Sequence, residues 1–201
     1  MVNVLVTGAT GFLGSQIIRL LSKKCFSVIG LKRSSSDLWR ILDLLDKVEF
    51  FNIDLGNVNE LFKKHPIDVV IHTATCYGRE GENLSEIIQT NLILPLKILE
   101  VGNSYGISMF INADTFYNVK MSLPFGLNHY VRTKTDFIDY AFNFSQRTKI
   151  KFVNLQIEHM YGPRDSENKF IPQLIQDFLH ERQEIKLTGG AQMRDFIFVD
   201  D

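Results

Sequence analysis

The stretch HYVRTK places a tyrosine and a lysine four residues apart, at Tyr130 and Lys134. Residues with this spacing lie on one face of a helix, so the phenol and the ammonium would point the same way. A free phenol has a pKa of about 10 and is a poor proton donor at neutral pH, but a neighbouring ammonium lowers that pKa. The pair could therefore deliver a proton to a ketone oxygen while hydride reaches the carbon. The alternative is an exposed helical pair without chemistry.

A second group of residues that could bind a ligand opens the chain. VLVTGATGFLGSQIIRLL reads as a strand, a turn with three glycines and an amphipathic helix. Glycines in such a turn let the backbone approach a dinucleotide pyrophosphate, which then lies at the helix N-terminus. The alternative is a tight turn without a ligand. The residues of this turn predicted to bind the cofactor are Gly8, Thr10, Gly11, Phe12, Leu13 and Gly14.

The end of the second predicted strand, VIGLKRSSSD, should select between two forms of the cofactor. An acidic residue at this point would hold the ribose hydroxyls of NAD, whereas a basic residue suits the 2′-phosphate of NADP. Lys32 and Arg33 stand here, followed by Ser34, whose hydroxyl can donate to phosphate. We therefore predict NADP as the cofactor. An exposed basic turn without a ligand is the alternative.

Short apolar runs rich in β-branched residues alternate with segments of helical periodicity along the chain. The predicted strands are Val2–Val6, Phe26–Leu31, Val48–Ile53, Val69–His72, Ser108–Asn112 and Lys151–Gln156. The predicted helices are Phe12–Lys23, Asp37–Asp46, Val58–Lys64, Leu84–Val101, Tyr130–Phe144 and Phe170–Glu181. This alternation predicts an α/β fold with a doubly wound parallel sheet, the Rossmann fold, because strands covered by helices on both faces are apolar nearly throughout.

Composition limits the partners and the location of the protein. The 201 residues carry a formal net charge of -1, so the charge favours neither nucleic acid nor an anionic membrane as a partner. The sequence has no apolar run of bilayer length, and its first apolar run leads directly into the glycine turn, which argues against a signal peptide. Cys25 and Cys76 make no metal-ligand spacing, so no metal is predicted. Two thiols without a secretion signal indicate the cytoplasm.

The C-terminal stretch QEIKLTGGAQMRDFIFVDD reads as a strand, a Gly-Gly turn and a second strand, and the chain ends directly after it at Asp201. We expect residues 1–165 to be an NADP-binding Rossmann domain. Residues 166–201 would be the start of a substrate-binding region that is incomplete. A pocket open on one side excludes water poorly, so turnover is expected to suffer more than cofactor binding.

Several motifs taken together resemble one family. TGATGFLG, IHTAT, TNLILPLKILE, EHMYGP and RDFIFVDD occur in this order and are similar to landmarks of the extended short-chain dehydrogenases/reductases, in their NAD-dependent epimerase/dehydratase group. Within that group, ATCYGRE, FVNLQIEHMYGP and QMRDFIFVDD resemble the CDP-abequose and CDP-paratose synthases. The resemblance implies NADPH-dependent reduction of the 4-keto group of a CDP-4-keto-3,6-dideoxyhexose, on the way to O-antigen sugars. A homodimer is one possible assembly.

The resemblance also implies roles for single residues. Lys134 would hold the ribose hydroxyls of the nicotinamide nucleotide, Asp54 would contact the adenine amino group, and Arg194 would clamp the diphosphate of the nucleotide sugar. Further cofactor contacts are predicted at Leu55, Thr73, Ala74, Thr75 and Asn91. The predicted substrate contacts are Tyr77, Asp114, His159, Asn168 and Arg194. Asp54 and Asp114 could instead be capping residues, and His159 a structural histidine.

The strand ending FINADTFYN departs from the family pattern. The family has a Ser or Thr just beyond this strand, which hydrogen-bonds the substrate oxygen, but Ala113 stands at that position. Thr115 is the next hydroxyl and is predicted to join Tyr130 and Lys134 as the third catalytic residue. The alternatives are that Tyr130 works as the only donor, or that the site is impaired.

The same strand end disfavours dehydration. The sugar dehydratases of the family resemble one another in an Asp-Glu pair that would fall on Asp114 and Thr115, and a threonine does not replace the acid. Reduction therefore remains the main expectation. An epimerase of a similar nucleotide sugar and a non-catalytic NADP-binding fragment remain open.

Overall fold

The computed structural model describes residues 1–119, 127–191 and 193–201. These residues form two compact units, 1–156 and 157–201. The domains inferred from the sequence, 1–165 and 166–201, concern what each part binds and stay a prediction. Among the described residues, no helix combines the length and the apolar character needed to cross a membrane. Cys25 and Cys76 are free thiols.

The first unit is built on a six-stranded sheet in the order β3-β2-β1-β4-β5-β6. Its strands are β1 Val2–Thr7, β2 Phe26–Lys32, β3 Glu49–Asn52, β4 Val69–His72, β5 Met109–Thr115 and β6 Lys151–Ile157. The pairs β1–β2, β1–β4, β2–β3 and β4–β5 are all parallel. The order reverses between β1 and β4, as in a doubly wound sheet, so the predicted fold class is confirmed.

In the part of this unit that the structure describes, five α-helices lie between the strands. They are α1 Phe12–Ser22, α2 Val58–Lys64, α3 Leu84–Ile88, α4 Leu94–Ser104 and α5 Asn128–Ser145. The short helices α2 and α3 begin at capping boxes, in which Asn57 and Asn83 exchange hydrogen bonds with Glu60 and Glu86. These caps satisfy amides that a helix start leaves without partners, and so fix where each helix begins.

Each face of the sheet has its own apolar core, because alternate residues of a strand point to opposite sides. Val4 of β1 packs with Ile18 of α1 on one face. Leu5 points to the other face, where it lies in one cluster with Phe110 of β5 and Phe137 of α5. All five side chains are at most 2% exposed, so the strand ends that carry polar residues project from a close-packed frame.

The helix predicted over Asp37–Asp46 is wrong. The segment contains a 3-10 turn over Leu42–Leu44. Asp37 accepts a hydrogen bond from the amide of Trp39, and Arg19 of α1 donates to the carbonyl oxygen of Arg40. These bonds compete with the backbone bonds of a helix, so the apolar periodicity of the segment reflects packing alone.

The helix predicted as one element over Leu84–Val101 is interrupted. A π-helical turn over Gln89–Ile93 separates α3 from α4. Pro95 lies in the first turn of α4 and has no amide hydrogen to donate to the carbonyl of Asn91, so the regular hydrogen-bond ladder breaks at this point. The interruption places Asn91 in the wider turn.

The second unit contains α6, Phe170–Leu179, and two short strands, β7 His159–Tyr161 and β8 Phe196–Phe198, which pair in parallel. The strand predicted before the Gly-Gly turn is wrong, because residues 183–189 have no strand structure. Ile185 and Leu187 line a cavity together with Leu174 of α6. Their alternation therefore reflects packing against a helix rather than pairing with a strand.

The carboxyl ends of β1 and β4 are joined by the buried hydroxyl of Thr7. Its Oγ1 accepts hydrogen bonds from the amides of Thr73 and Ala74, both at 3.1 Å, and lies 2.8 Å from Nδ1 of His72. Burial lowers the pKa of His72 to about 3, with a smaller contribution from Lys134, so the imidazole is neutral. A hydroxyl that accepts two bonds has one hydrogen left, which Thr7 donates to His72.

We predict that Thr7→Val destabilises the first unit although it keeps the side-chain volume. The two amides and the imidazole would lose a buried partner, so the free energy of unfolding should fall by about 2–4 kcal/mol. Urea denaturation followed by circular dichroism measures this loss. Thr7→Ser is the matched control, because it keeps the hydroxyl and loses one methyl group at a cost of about 1 kcal/mol. Equal stability of the two variants would contradict the role assigned to the hydroxyl.

Candidate active site

The glycine turn between β1 and α1 lies against the segment that follows β4. Gly8 has a φ of +66°, and a Cβ there would be 2.7 Å from the amide nitrogen of Ala74. A Cβ on Gly14 would collide with the carbonyl oxygen of Gly8, which also accepts a hydrogen bond of 2.9 Å from the amide of Gly11. The absence of side chains thus allows two close backbone approaches and brings the start of α1 to the sheet edge.

The start of α1 has the properties of an anion site. Gly11 is the N-cap and, among the described residues, no side chain caps this end; the first turn has no acidic residue. Amides at such an end and the helix dipole favour a negative group. Thr10, Phe12 and Leu13 are each partly buried at this end. The residues of the turn therefore fit the pyrophosphate of a dinucleotide cofactor.

The basic turn after β2 lies beside the end of β3. Lys32 donates from Nζ to the side-chain oxygen of Asn52 at 2.8 Å, so its ammonium is partly engaged within the protein. Arg33 is exposed. The pKa of Glu82 is lowered chiefly by a hydrogen bond from the Glu80 amide, and the charge of Arg33 adds a smaller lowering. Of the two predicted basic contacts, Arg33 is therefore the one whose side chain extends toward solvent.

Ser34 and Asp54 are paired with each other. The carboxylate of Asp54 accepts hydrogen bonds from the amide of Ser34 at 2.8 Å and from its hydroxyl at 2.5 Å. The Ser34 hydroxyl is the largest cause that holds the pKa of Asp54 below its usual value. The neighbouring Leu55 is exposed. The sequence predicted that Ser34 and Asp54 both contact the cofactor. In the structure they bind each other, at the ends of β2 and β3.

Asn91 ties the segment after β4 to α5. Its side-chain oxygen accepts from the amide of Cys76 at 2.8 Å, and its amide donates to the Cys76 carbonyl, also at 2.8 Å. The same amide donates to Thr133 of α5 at 3.2 Å, and Thr75 lies next to this clamp with its hydroxyl 3.4 Å from the Asn91 oxygen. The structure thus gives Asn91 a positioning role that sequence reasoning did not assign.

Tyr130 and Lys134 lie on one buried face of α5, with exposed fractions of 4% and 6%. The ammonium of Lys134 donates to the carbonyl oxygen of Ala113 at 2.6 Å. Burial lowers the pKa of Lys134 to about 8, although the charge of Asp114 acts in the opposite direction. The pair is therefore an internal one and not the exposed helical pair that the sequence left as an alternative.

Two hydroxyls reach the phenol of Tyr130. Burial is the largest cause that raises the pKa of Tyr130, and Tyr77 and Asp114 raise it further. Hydrogen bonds with the side chains of Thr115 and Thr75 act in the opposite direction. The sequence predicted a pKa lowered by the nearby ammonium; the pKa of Tyr130 is instead raised, with burial as the largest cause. Thr115 is brought to the phenol, as is Thr75, which the sequence linked only to the cofactor.

The side chains of β5 explain why Thr115 and not residue 113 meets the phenol. Asn112 and Asp114 point into the buried face, and Ala113 lies on the other side of the strand, where its carbonyl holds Lys134. Thr115 ends the strand and is 5% exposed. A hydroxyl two residues along the strand returns to the same face as position 113.

Asp114 lies in a cage of amide side chains. Its two oxygens accept from Nδ2 of Asn118 at 2.7 and 2.8 Å, and one of them accepts from Asn154 at 3.1 Å. Asn112 in turn donates to the side-chain oxygen of Asn154 at 2.7 Å. The sequence predicted substrate contact for Asp114, and the structure surrounds its carboxylate with protein donors. The sequence did not indicate Asn154, because it lies on β6, 40 residues from Asp114 in the chain.

Tyr77 lies over Tyr130. Their ring centroids are 4.8 Å apart at an interplanar angle of 39°, and Tyr77 is 49% exposed. Tyr77 thus forms the outer surface of the group that contains the phenol and its two hydroxyl partners.

In the second unit, two of the predicted substrate contacts come together. Arg194 donates from Nη1 to Nε2 of His159, and the ring of Phe196 meets the imidazole edge-on with centroids 5.7 Å apart. The acceptor role requires Nε2 to carry no proton. Asn168 is exposed and separate in sequence from this pair.

Known proteins resemble the chain along almost all of its length. The sequence is 37% identical to CDP-abequose synthase of Salmonella typhimurium over 98% of this chain and 66% of that protein. It is 32% identical to CDP-abequose synthase of Salmonella muenchen over 99% of this chain and 67% of that protein. The chain spans about two thirds of the length of these relatives.

Solved structures share the fold. The UDP-glucuronic acid 4-epimerase of Bacillus cereus in complex with NAD has a TM-score of 0.79 and 25% identity, over 98% of this chain and 69% of that one. The UDP-glucose 4-epimerase of Thermotoga maritima, with 24% identity, has a TM-score of 0.79 over 98% of this chain and 70% of that one, and shows the fold alone. The sequence pattern of the NAD dependent epimerase/dehydratase family matches residues 4–201, and the chain therefore belongs to this family.

Proposed function

We propose that the chain is part of an NADPH-dependent reductase that converts the 4-keto group of a CDP-4-keto-3,6-dideoxyhexose to an alcohol. The observation that carries this proposal is the buried group of Tyr130, Lys134 and Thr115, in the unit whose first strand leads into the glycine turn. The relatives at 37% and 32% identity, both named CDP-abequose synthase, support a CDP-sugar as the substrate class. Reduction is what the resemblance of the sequence motifs implies. A homodimer and a cytoplasmic location belong to the same proposal.

The proposed chemistry divides between the cofactor and the chain. When bound, NADPH would supply the hydride for the carbonyl carbon and would itself be oxidised. Tyr130 donates its phenolic proton to the oxygen that becomes the alcohol. Thr115 and Thr75 would hold the phenol through their hydrogen bonds to it. Lys134, one turn further along α5, would supply a positive charge that favours the phenolate left behind.

The cofactor would lie along the carboxyl edge of the first unit. The start of α1 would hold the pyrophosphate, Arg33 the 2′-phosphate and Lys134 the ribose of the nicotinamide nucleotide. Asp54 would meet the adenine end. Ser34 donates its hydroxyl to Asp54, so the 2′-phosphate would depend chiefly on the exposed guanidinium of Arg33.

Epimerisation is the competing reaction, since the similar solved structures include 4-epimerases of UDP-sugars. An epimerase returns its hydride to the sugar and consumes no reduced cofactor. A non-catalytic fragment would bind NADPH without any turnover. Net loss of NADPH therefore separates all three.

We predict that the chain oxidises NADPH when CDP-4-keto-3,6-dideoxyglucose is added, and that Tyr130→Phe lowers kcat by about 10²-fold or more because the proton donor is lost. Absorbance at the nicotinamide band follows the reaction, with a sample lacking substrate as baseline. Tyr140→Phe is the matched control, since Tyr140 lies on the same helix and is 59% exposed. NADPH binding without turnover in the unaltered chain would leave the non-catalytic alternative.

We predict that Arg33→Ala weakens NADPH binding by about 10- to 100-fold and leaves NADH binding unchanged, because only NADPH carries the phosphate that the guanidinium would meet. Fluorescence titration of both cofactors gives the ratio of affinities. Arg147→Ala, a change at another exposed arginine, serves as the control. An unchanged ratio in Arg33→Ala would show that NADP selectivity has another origin.

We predict that Thr115→Val lowers kcat by about 10- to 100-fold, because the phenol loses one of its hydroxyl partners at constant side-chain volume. Thr115→Ser keeps the hydroxyl and should retain most of the rate. Ala113→Thr tests the departure from the family pattern. A loss of activity in Ala113→Thr would indicate that alanine is an adaptation, whereas a gain would indicate a missing donor.

A further inference from the structure

We propose that Tyr77 is a positioning residue for the proton donor, whose ring covers Tyr130 and keeps its phenol out of water in the orientation that the two threonine hydroxyls set. This role rests on the proposed function, because it matters only if Tyr130 transfers a proton. It differs from the substrate contact predicted for Tyr77 from the sequence.

In this ring pair, Tyr130 is buried and Tyr77 is exposed. Their centroids are 4.8 Å apart at 39°, within the range of favourable aromatic pairs. Tyr130 is 4% exposed, whereas Tyr77 is 49% exposed. The outer ring therefore covers one side of the inner ring and contributes to its burial.

The backbone on both sides of Tyr77 has close contacts. Before it, the amide and the carbonyl of Cys76 are both bound to the side chain of Asn91. After it, Gly78 has a φ of +70°, and a Cβ there would lie 2.5 Å from Cδ1 of Ile87. Cys76 is thus held by two hydrogen bonds and Gly78 packs closely against Ile87, which gives Tyr77 the kind of support that a preorganised side chain requires.

The same clamp ties residues 76–78 to the helix that carries the proton donor. Asn91 donates to the hydroxyl of Thr133, whose one hydrogen is shared between the carbonyl oxygens of His129 and Tyr130. The backbone of Cys76, next to Tyr77, is therefore linked to the backbone of Tyr130 through the side chains of Asn91 and Thr133. The contact between the Tyr77 and Tyr130 rings is a second link between the same two segments.

Several groups act on the Tyr130 phenol from the elements packed against it. Tyr77 comes from the segment after β4 and Asp114 from β5, and Thr75 and Thr115 supply hydroxyls. Lys134 faces the same side, one turn further along α5. Tyr77 is the one of these with a large exposed surface. Removing its ring would admit water to the phenol and loosen its orientation, and misplacement by about 1 Å can cost about 100-fold in rate.

The first arm of the test needs no turnover. Ring-labelled tyrosines are observed by NMR with a soluble paramagnetic agent, and the Tyr130 signal is assigned from its loss in Tyr130→Phe. We expect the Tyr130 ring to be protected from the agent in the unaltered chain and in Tyr77→Phe. In Tyr77→Ala its relaxation should rise toward that of Tyr140, an exposed ring on the same helix. Thermal denaturation verifies that each variant is folded.

A matched control separates a local effect from general loosening. Tyr105 is also 49% exposed and contacts another aromatic ring, that of Phe62, at 5.8 Å between centroids. Tyr105→Ala should leave the Tyr130 signal protected. Unchanged protection of Tyr130 in Tyr77→Ala, or equal loss of protection in Tyr77→Phe, would overturn the role assigned to the Tyr77 ring.

The second arm measures turnover of NADPH and the keto sugar. We expect Tyr77→Ala to lower kcat by about 10- to 100-fold with a smaller change in KM, and Tyr77→Phe to restore most of kcat. A Tyr77→Ala chain that loses protection yet keeps its kcat would overturn the positioning role. No turnover in the unaltered chain, with the Tyr130 signal protected as expected, would instead be a failure of the proposed function.

Discussion

The hydroxyl of Thr7 joins β1 to the segment after β4 at the point where the strand order of the sheet reverses. Ligands of doubly wound sheets bind at this point, because the connections leave the two strand ends in opposite directions and open a crevice between them. The bond network fixes Thr73 and Ala74, and Gly8 packs directly against Ala74. The glycine turn and the residues after β4 are thus held in place by one buried hydrogen-bonding centre.

Burial of an ammonium is the second constraint on the site. Lys134 is removed from water, which disfavours its charged form, and the carbonyl of Ala113 and the carboxylate of Asp114 offset this cost. The amide cage around Asp114 holds that carboxylate with Asn118 and Asn154 as donors. The carboxylate of Asp114 therefore stabilises the charged form of Lys134, and the neutral amides of Asn118 and Asn154 stabilise that carboxylate.

Much of this arrangement was predictable from the sequence. The glycine turn was recognised because glycines between a strand and a helix have few other uses, and the alternation of strands and helices predicted the parallel sheet. Two elements were wrong: the helix over Asp37–Asp46 and the strand before the Gly-Gly turn. In both, apolar residues pack against a helix that is distant in the chain or separated from them by a turn, and local periodicity does not reveal this partner.

The sequence by itself determined which residue types stand at the sheet edge, namely the glycines of the first turn, the basic end of β2 and the Tyr130–Lys134 pair on one helix face. Only the tertiary structure decided which groups meet that pair. Thr75, Thr115 and Tyr77 reach Tyr130 from two strand ends, and Asn154 reaches Asp114 from the middle of β6. The reason is that spacing along a helix is set by local geometry, whereas contacts between strand ends depend on the register of the whole sheet.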